Sequence, residues 1–402
     1  MQAGRLIERD GLAVLGLSTA GLLELPSGLV DPFGLDGAVA QLGAISAIGS
    51  AGTPDSPVPV ALGSLPFDRR AAGFLVVPEL TVMSRPGSEA TAVAVGAPGR
   101  VADLLERARD GRAPHDAATA SAATAPPDGF HLASARPHED FLNRVSSALA
   151  EIKSGRLDKV VLAREVTVEA NRPLRQGDLV GRLRSLHPSC ATFAIDGFIG
   201  ASPELLICRQ GARIASVPLA GTAARSGDPE ADARAEAALF ASAKERSEHR
   251  AVVETIAAAL MPVVEQLEVP EEPVVMELRN VSHLGTHMEG VLSGRQGRYP
   301  SALELVGLLH PTPAVAGTPV DLALDYLAKA EELDRDRYAG PLGWVDARGD
   351  GEWYLGIRSA IVAGSSARLF AGVGIVADSD PAAELAETQL KLQAFLAAAV
   401  RP

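Results

Sequence analysis

The sequence predicts an α+β or mixed α/β protein with hairpin-connected strands, not a doubly wound parallel sheet. Three observations carry this. Strand-like and helix-like segments do not alternate strictly along the chain. Leu205–Arg209, Gln210-Gly211 and Ile214–Leu219 read as two strands joined by a tight turn. The chain has 402 residues, 47% of them hydrophobic, which is enough for a large core.

Residues 1–110 mix short apolar runs (Leu12–Leu17, Phe74–Val82, Thr91–Val95) with Gly and Pro turns, and read as strands and short helices of a supporting layer. Residues 111–129 are mostly Ala, Thr and Pro without periodicity and cannot bury enough surface to offset ordering entropy, so a mobile loop is expected there. Residues 130–402 form the information-rich part. Asp140–Ser154 has helical spacing in Phe141, Val145, Leu149 and Ile152 and stops before Gly155. Lys159–Glu169 is rich in β-branched residues and reads as a strand, as do Ala191–Ile199 and Leu205–Arg209. Asp228-Pro229 opens a helical stretch to about Leu267, with Asp as N-cap, Pro at the first position and Pro262 kinking or ending it. Further strands are expected at Trp353–Val362 and Ala367–Val373, and a helix at Pro381–Val400.

A formal net charge of −13 argues against general affinity for nucleic acid or an anionic membrane, although a few cations inside a cleft can still capture a small anion. Cys190 and Cys208 make no disulfide framework, and no C-x-x-C or Cys/His cluster suggests zinc, which fits a reducing cytoplasm. The first residues lack the basic-then-apolar order of a signal peptide, and no apolar run approaches the roughly 20 residues that span a bilayer. A cytoplasmic protein is expected.

Several residues carry potential chemistry. Glu384, Glu387 and Lys391 share one face of the C-terminal helix. They read either as a solvated face with a Glu387–Lys391 pair or as a site, and Gly372 and Gly374 just upstream allow close backbone approach to a ligand. Glu248 is an exposed mid-helix acid or, with Glu387, a carboxylate ligand for a hard cation. Lys159 is a strand-end lysine reaching solvent or a desolvated base able to take a proton from water. Glu204, after the Gly200-Ala-Ser-Pro turn, is an exposed turn acid or a carboxyl held protonated as a general acid. Arg358 lies in an apolar stretch and needs a carboxylate, from the protein or a ligand. His283 and His310 are packed residues or orient a ligand.

Ten segments together resemble the chorismate-utilising enzyme family, and within it the isochorismate synthases of siderophore pathways. They are Lys159-Val-Val-Leu-Ala-Arg164, Gly200-Ala-Ser-Pro-Glu204, Pro218-Leu-Ala-Gly-Thr222, Lys244-Glu-Arg-Ser-Glu-His249, His283-Leu284, His310-Pro-Thr-Pro-Ala314, Tyr338-Ala-Gly340, Gly356-Ile-Arg358, Ala371-Gly-Val-Gly-Ile375 and Glu384-Leu-Ala-Glu-Thr-Gln-Leu-Lys391, in family order over about 260 residues. The resemblance implies one α/β body with two large, mostly antiparallel sheets framed by helices and a site in a cleft.

It also implies roles. Glu248 and Glu387, with Glu384 nearby, would hold Mg²⁺. Arg358, the backbone at Gly372 and Lys391 would hold a substrate carboxylate, while Gly221, Thr222, His283, Ala314 and Tyr338 would line the pocket. Lys159 would activate water for attack at C2 of chorismate, and Glu204 would protonate the departing C4 hydroxyl, giving isochorismate. Members that use ammonia usually carry Gln at the Lys159 position, or a nucleophilic Lys where this chain has Ala220, so no glutamine amidotransferase partner is implied and a monomer is expected. A salicylate synthase, which goes on to eliminate pyruvate, and a silent chorismate-binding subunit are the alternatives. Ser282 stands where many siderophore-type members carry Trp.

Overall fold

The computed structural model of the chain describes residues 4–45, 58–87, 89–109, 125–294 and 298–400. Strand pairings among these residues are antiparallel. That is what hairpin-rich text dictates, because short turns return the chain beside itself. Among the described residues the strands form two large sheets and one small one. The first has eleven strands, in the order Gly317–Thr318, Lys159–Ala170, Ser366–Ile375, Ser359–Ala363, Phe198–Ser202, Ala191–Ile195, Arg5–Arg9, Leu12–Leu17, Leu80–Ser84 and Thr91–Ala94, with Phe130–Ser134 also paired to Lys159–Ala170. The second has nine, from Val264–Glu268 through Met288–Leu292, Arg213–Val217, Leu205–Gln210, Gly351–Leu355, Pro341–Asp346, Val60–Ser64 and Gly73–Val77 to Gly21–Leu25. A third, of three strands, holds Leu219–Ala224, Val281–Gly285 and Val274–Glu277.

Side chains that alternate inward from the two large sheets meet in one apolar cluster containing Leu62, Phe193, Phe198, Leu342, Trp344 and Tyr354. Burial of each such side chain contributes about 2 kcal/mol. The helices Gln176–Leu186 and Pro381–Val400 cover the other face of the first sheet through Leu179, Leu183, Leu392 and Phe395. Two large antiparallel sheets framed by helices are the expected fold. The N-terminal residues build into both large sheets: Arg5–Arg9, Leu12–Leu17, Leu80–Ser84 and Thr91–Ala94 extend the first, and Gly21–Leu25, Val60–Ser64 and Gly73–Val77 the second.

Local corrections have local causes. Ala191–Ile199 is two strands, because Asp196 and Gly197 both take positive φ (47° and 83°) and turn the chain. The stretch from Asp228 is two helices, Pro229–Ala241 and Ala243–Leu260. Asp228 caps the first as predicted, accepting from the amides of Glu230 and Ala231. Ser242 then breaks the run, since its backbone is extended and its hydroxyl caps the next helix at Glu245 N–H. Past Pro262 the chain becomes the strand Val264–Glu268, not more helix. Trp353–Val362 is interrupted at Arg358, whose φ is 53°. Residues 111–124 of the expected mobile loop lie outside the described residues, and 125–129 lead without regular structure into Phe130–Ser134. No helix among the described residues is long and apolar enough to cross a membrane.

Candidate active site

Lys159 begins the long strand Lys159–Ala170, whose neighbour Ser366–Ile375 runs beside it from Val160↔Ile375 to Glu169↔Ser366. The lysine is 6% exposed, so it does not reach solvent. Its Nζ meets Glu248 Oε1 at 2.6 Å, and that carboxylate comes from the helix Ala243–Leu260. The approach depends on Gly374: a Cβ there would lie 2.6 Å from Lys159 Cε and 3.1 Å from Glu248 Oε1. The glycine-containing text before the C-terminal helix thus makes room for a buried ion pair.

Glu204 occupies the crossing from one large sheet to the other, between Phe198–Ser202 and Leu205–Gln210. The turn is held by Ser202 Oγ, which donates to Leu355 O at 2.6 Å and accepts from Glu204 N–H at 3.3 Å. Glu204 is 4% exposed, and burial pushes its carboxyl up to about 8 against the opposing pull of the Leu219 amide and Lys159. At neutral pH it is therefore predominantly a neutral acid, not an exposed turn acid.

Arg358 and His283 form a fixed cation and its support. Arg358 Nη2 donates to His283 Nε2 at 2.9 Å, so that ring nitrogen is an acceptor and Nδ1–H is left to donate to Gly221 O at 2.9 Å. Burial and the neighbouring Arg358 push His283 down to about 3, which keeps the ring neutral. Among the described residues Arg358 is held by this imidazole and not by a carboxylate, and its charge remains available to an anion in the cleft. Gly221 has φ +74° and passes Glu245 so closely that a Cβ would lie 3.0 Å from its Oε2.

Two helices bring matched carboxylates, Glu245 with Glu248 and Glu384 with Glu387, each at i and i+3. Burial raises Glu245, and Glu248 and Glu387 add to the shift. Burial also lifts Glu384 to about 7, with Glu387 adding to it. Burial works to raise Glu387 too, but Lys391, His283 and Arg358 outweigh it and hold the group below the usual range. Lys391 Nζ bridges Glu387 Oε1 at 2.7 Å and Gly372 O at 2.9 Å. No three His, Cys, Asp or Glu residues are grouped closely enough to enclose a metal among the described residues. The donor set is nonetheless all carboxylate oxygen around one cleft, which suits a hard divalent cation whose other positions are filled by water or an anionic ligand.

The remaining predicted residues, Thr222, Ala314 and Tyr338, line the same cleft. Tyr338 stacks on Phe370 at 5.1 Å, and its hydroxyl would sit 3.0 Å from a Cβ at Gly372. His310 does not line it: its Nε2 bonds Phe67 O at 2.9 Å in a separate part of the core. Ser282 also lies off the cleft lining and donates to Glu236 at 2.8 Å. Sequence reasoning gave no role to Lys244, Glu245, Val315, Ile357 or Phe370, all of which line the cleft. Only Glu245 had a legible signal, since Glu245-x-x-Glu248 repeats the spacing of Glu384-x-x-Glu387.

Comparison with known proteins shows the family to which the chain belongs. The family model for chorismate binding enzymes matches residues 50–400. The chain is 37% identical over 351 residues to the isochorismate synthase DhbC of Bacillus subtilis, covering 85% of this chain and 80% of that protein. It is 40% identical over 322 residues to the salicylate biosynthesis isochorismate synthase of Pseudomonas aeruginosa, covering 78% and 63% respectively. The crystal structure of DhbC from Bacillus anthracis superposes with a TM-score of 0.80 at 33% identity, over 98% of this chain and 95% of that one.

Proposed function

We propose that this chain, which belongs to the chorismate-binding enzyme family, is an isochorismate synthase that interconverts chorismate and isochorismate. The observation that carries the reading is the pairing, in one cleft, of a buried lysine with a buried carboxyl held neutral by its surroundings. Addition of water with loss of a hydroxyl needs one group to take a proton and another to give one.

Lys159, in its neutral amine form, takes a proton from water as the water oxygen bonds to C2. Each of the two ring double bonds moves over by one bond, the C4–O bond breaks, and Glu204 gives its proton to the departing hydroxyl, which leaves as water. In the reverse direction the two groups exchange roles. Arg358, oriented by neutral His283, takes a substrate carboxylate through its planar fork, and Lys391 holds the Gly372 backbone beside it. Tyr338, Ala314 and Phe370 form the apolar wall against the ring. Glu248 and Glu387 would hold Mg²⁺, with Glu245 and Glu384 adjacent. When bound, the ion neutralises substrate carboxylate charge and fixes the ring for attack.

The test is incubation with chorismate and Mg²⁺ and resolution of the products. Isochorismate alone is expected. Salicylate with pyruvate would make the chain a salicylate synthase, and absence of turnover by folded protein would make it a silent subunit.

A further inference from the structure

The long strand that begins with Lys159 has a gap on its outer edge. Gly317–Thr318 pairs with its first two residues, and Phe130–Ser134 pairs from Val166 onward. Between them Val161 N–H is met by Ala316 O at 2.9 Å, whereas Val161 O and Ala163 N–H face no strand among the described residues. Two side chains fill the gap. Glu331 Oε1 accepts from Ala163 N–H at 2.7 Å, and Arg335 Nη2 donates to Val161 O at 2.7 Å. The two are joined bidentately, Nε to Oε2 at 2.6 Å and Nη2 to Oε1 at 2.7 Å, and are only 3% and 4% exposed. Arg335 reaches further: Nη1 donates to Val315 O at 2.8 Å, its guanidinium lies 4.3 Å from the Phe67 ring centroid, and its own carbonyl accepts from Tyr338 N–H at 2.8 Å. One ion pair therefore ties the lysine strand to the Ala314–Val315 wall.

We propose that Glu331 and Arg335 are positioning residues for the reaction, substituting for a missing stretch of strand and fixing Lys159 relative to the opposite wall of the cleft. Neither lines the cleft, so neither touches substrate. The inference rests on the role of Lys159 proposed above. A charged pair alone does not need this geometry; what needs it is the simultaneous reading of two strand groups and one wall carbonyl. A lysine at 335 keeps the charge but lacks the planar fork that reaches Glu331, Val161 and Val315 together.

The experiment is steady-state kinetics of Arg335→Lys with thermal unfolding of the same preparation. The expected result is kcat lowered about tenfold to a hundredfold, the scale of an ångström-sized misplacement, with KM within about threefold and the protein folded at the assay temperature. Glu331→Gln, which keeps an acceptor for Ala163 but withdraws charge from Arg335, is expected to shift kcat in the same sense by a smaller factor, and it serves alone if Arg335→Lys does not fold. The exchanged pair Glu331→Arg with Arg335→Glu restores an ion pair but leaves no acceptor at 331, so it should not recover the rate. Unchanged kcat in the folded single variants, or recovery by the exchanged pair, overturns the proposal. Lys159→Gln run alongside separates the two failures: full hydration by that variant removes the base assignment, whereas normal kcat in Arg335→Lys with Lys159→Gln inactive removes this inference alone.

Discussion

The helices Ala243–Leu260 and Pro381–Val400 each send a Glu-x-x-Glu pair into the cleft, and the second glutamate of each is bound to a lysine at nearly equal distance, 2.6 Å for Glu248 and 2.7 Å for Glu387. The lysines differ in origin. Lys391 is one turn along the same helix, whereas Lys159 is 89 residues away and starts a strand near one edge of the first sheet. The local pair forms wherever that helix forms. The distant pair exists only when sheet and helix have docked, and its side chains are the more buried, at 8% and 16% against 17% and 30%. Two like-looking contacts therefore differ in origin: one follows from i,i+4 spacing along a single helix, the other from the assembled fold.

The largest expected effect breaks the distant pair from its lysine side. Lys159→Gln should lower isochorismate formation by about 10²- to 10⁴-fold, the usual contribution of a positioned base. Lys391→Gln should act mainly on KM, and product assays on both variants check the contrast. Next is pH. If Glu204 supplies the proton, the forward rate should fall about tenfold per pH unit above pH 8, because the folded-state value of about 8 sets where the neutral acid is lost. Glu204→Gln should remove that limb along with most of the rate. Stability linkage has the same sign: raising pH from the ordinary carboxyl range through about 8 should destabilise wild type relative to Glu204→Gln, followed by denaturant midpoints at several pH values.

Smaller effects sharpen the comparison energetically. Glu248→Gln leaves Lys159 buried without its partner and should cost about 2–3 kcal/mol, whereas Glu387→Gln should cost under about 1 kcal/mol in a less buried i,i+4 setting. Equal losses in chemical denaturation would mean that burial does not distinguish the pairs. Both substitutions should weaken Mg²⁺ dependence, and an unshifted Mg²⁺ titration in either would remove that glutamate as a ligand. The smallest effect concerns His283: with its value near 3, the imidazole should stay neutral from pH 5 to 8, read from its ring nitrogen shifts.

Much of the site was legible because chemistry-bearing residues sat in short, specific text. Gly200-Ala-Ser-Pro-Glu204 and Ala371-Gly-Val-Gly-Ile375 held their glycines where the folded chain needs close approach. Other features were misread, one because distant neighbours decide it and one because a local signal outweighs the pattern around it. Arg358 was expected inside a strand, but it sits at positive φ between two strands, where an imidazole accepts from it. The helix from Asp228 was read through Ser242, where a local cap overrides the continuing helical pattern.

Elements with local causes are written in the sequence: the Asp228 cap with its proline, the Gln210-Gly211 hairpin, the Glu387–Lys391 pair and the apolar strands of the core. Tertiary structure alone decided that Glu204 stays neutral, that Lys159 meets Glu248, and that Glu331 and Arg335 complete an interrupted sheet edge. The physical reason is the same in each case. Desolvation and charge pairing depend on which surfaces are brought together, and residues 89 or 168 positions apart carry no mark in the sequence of meeting.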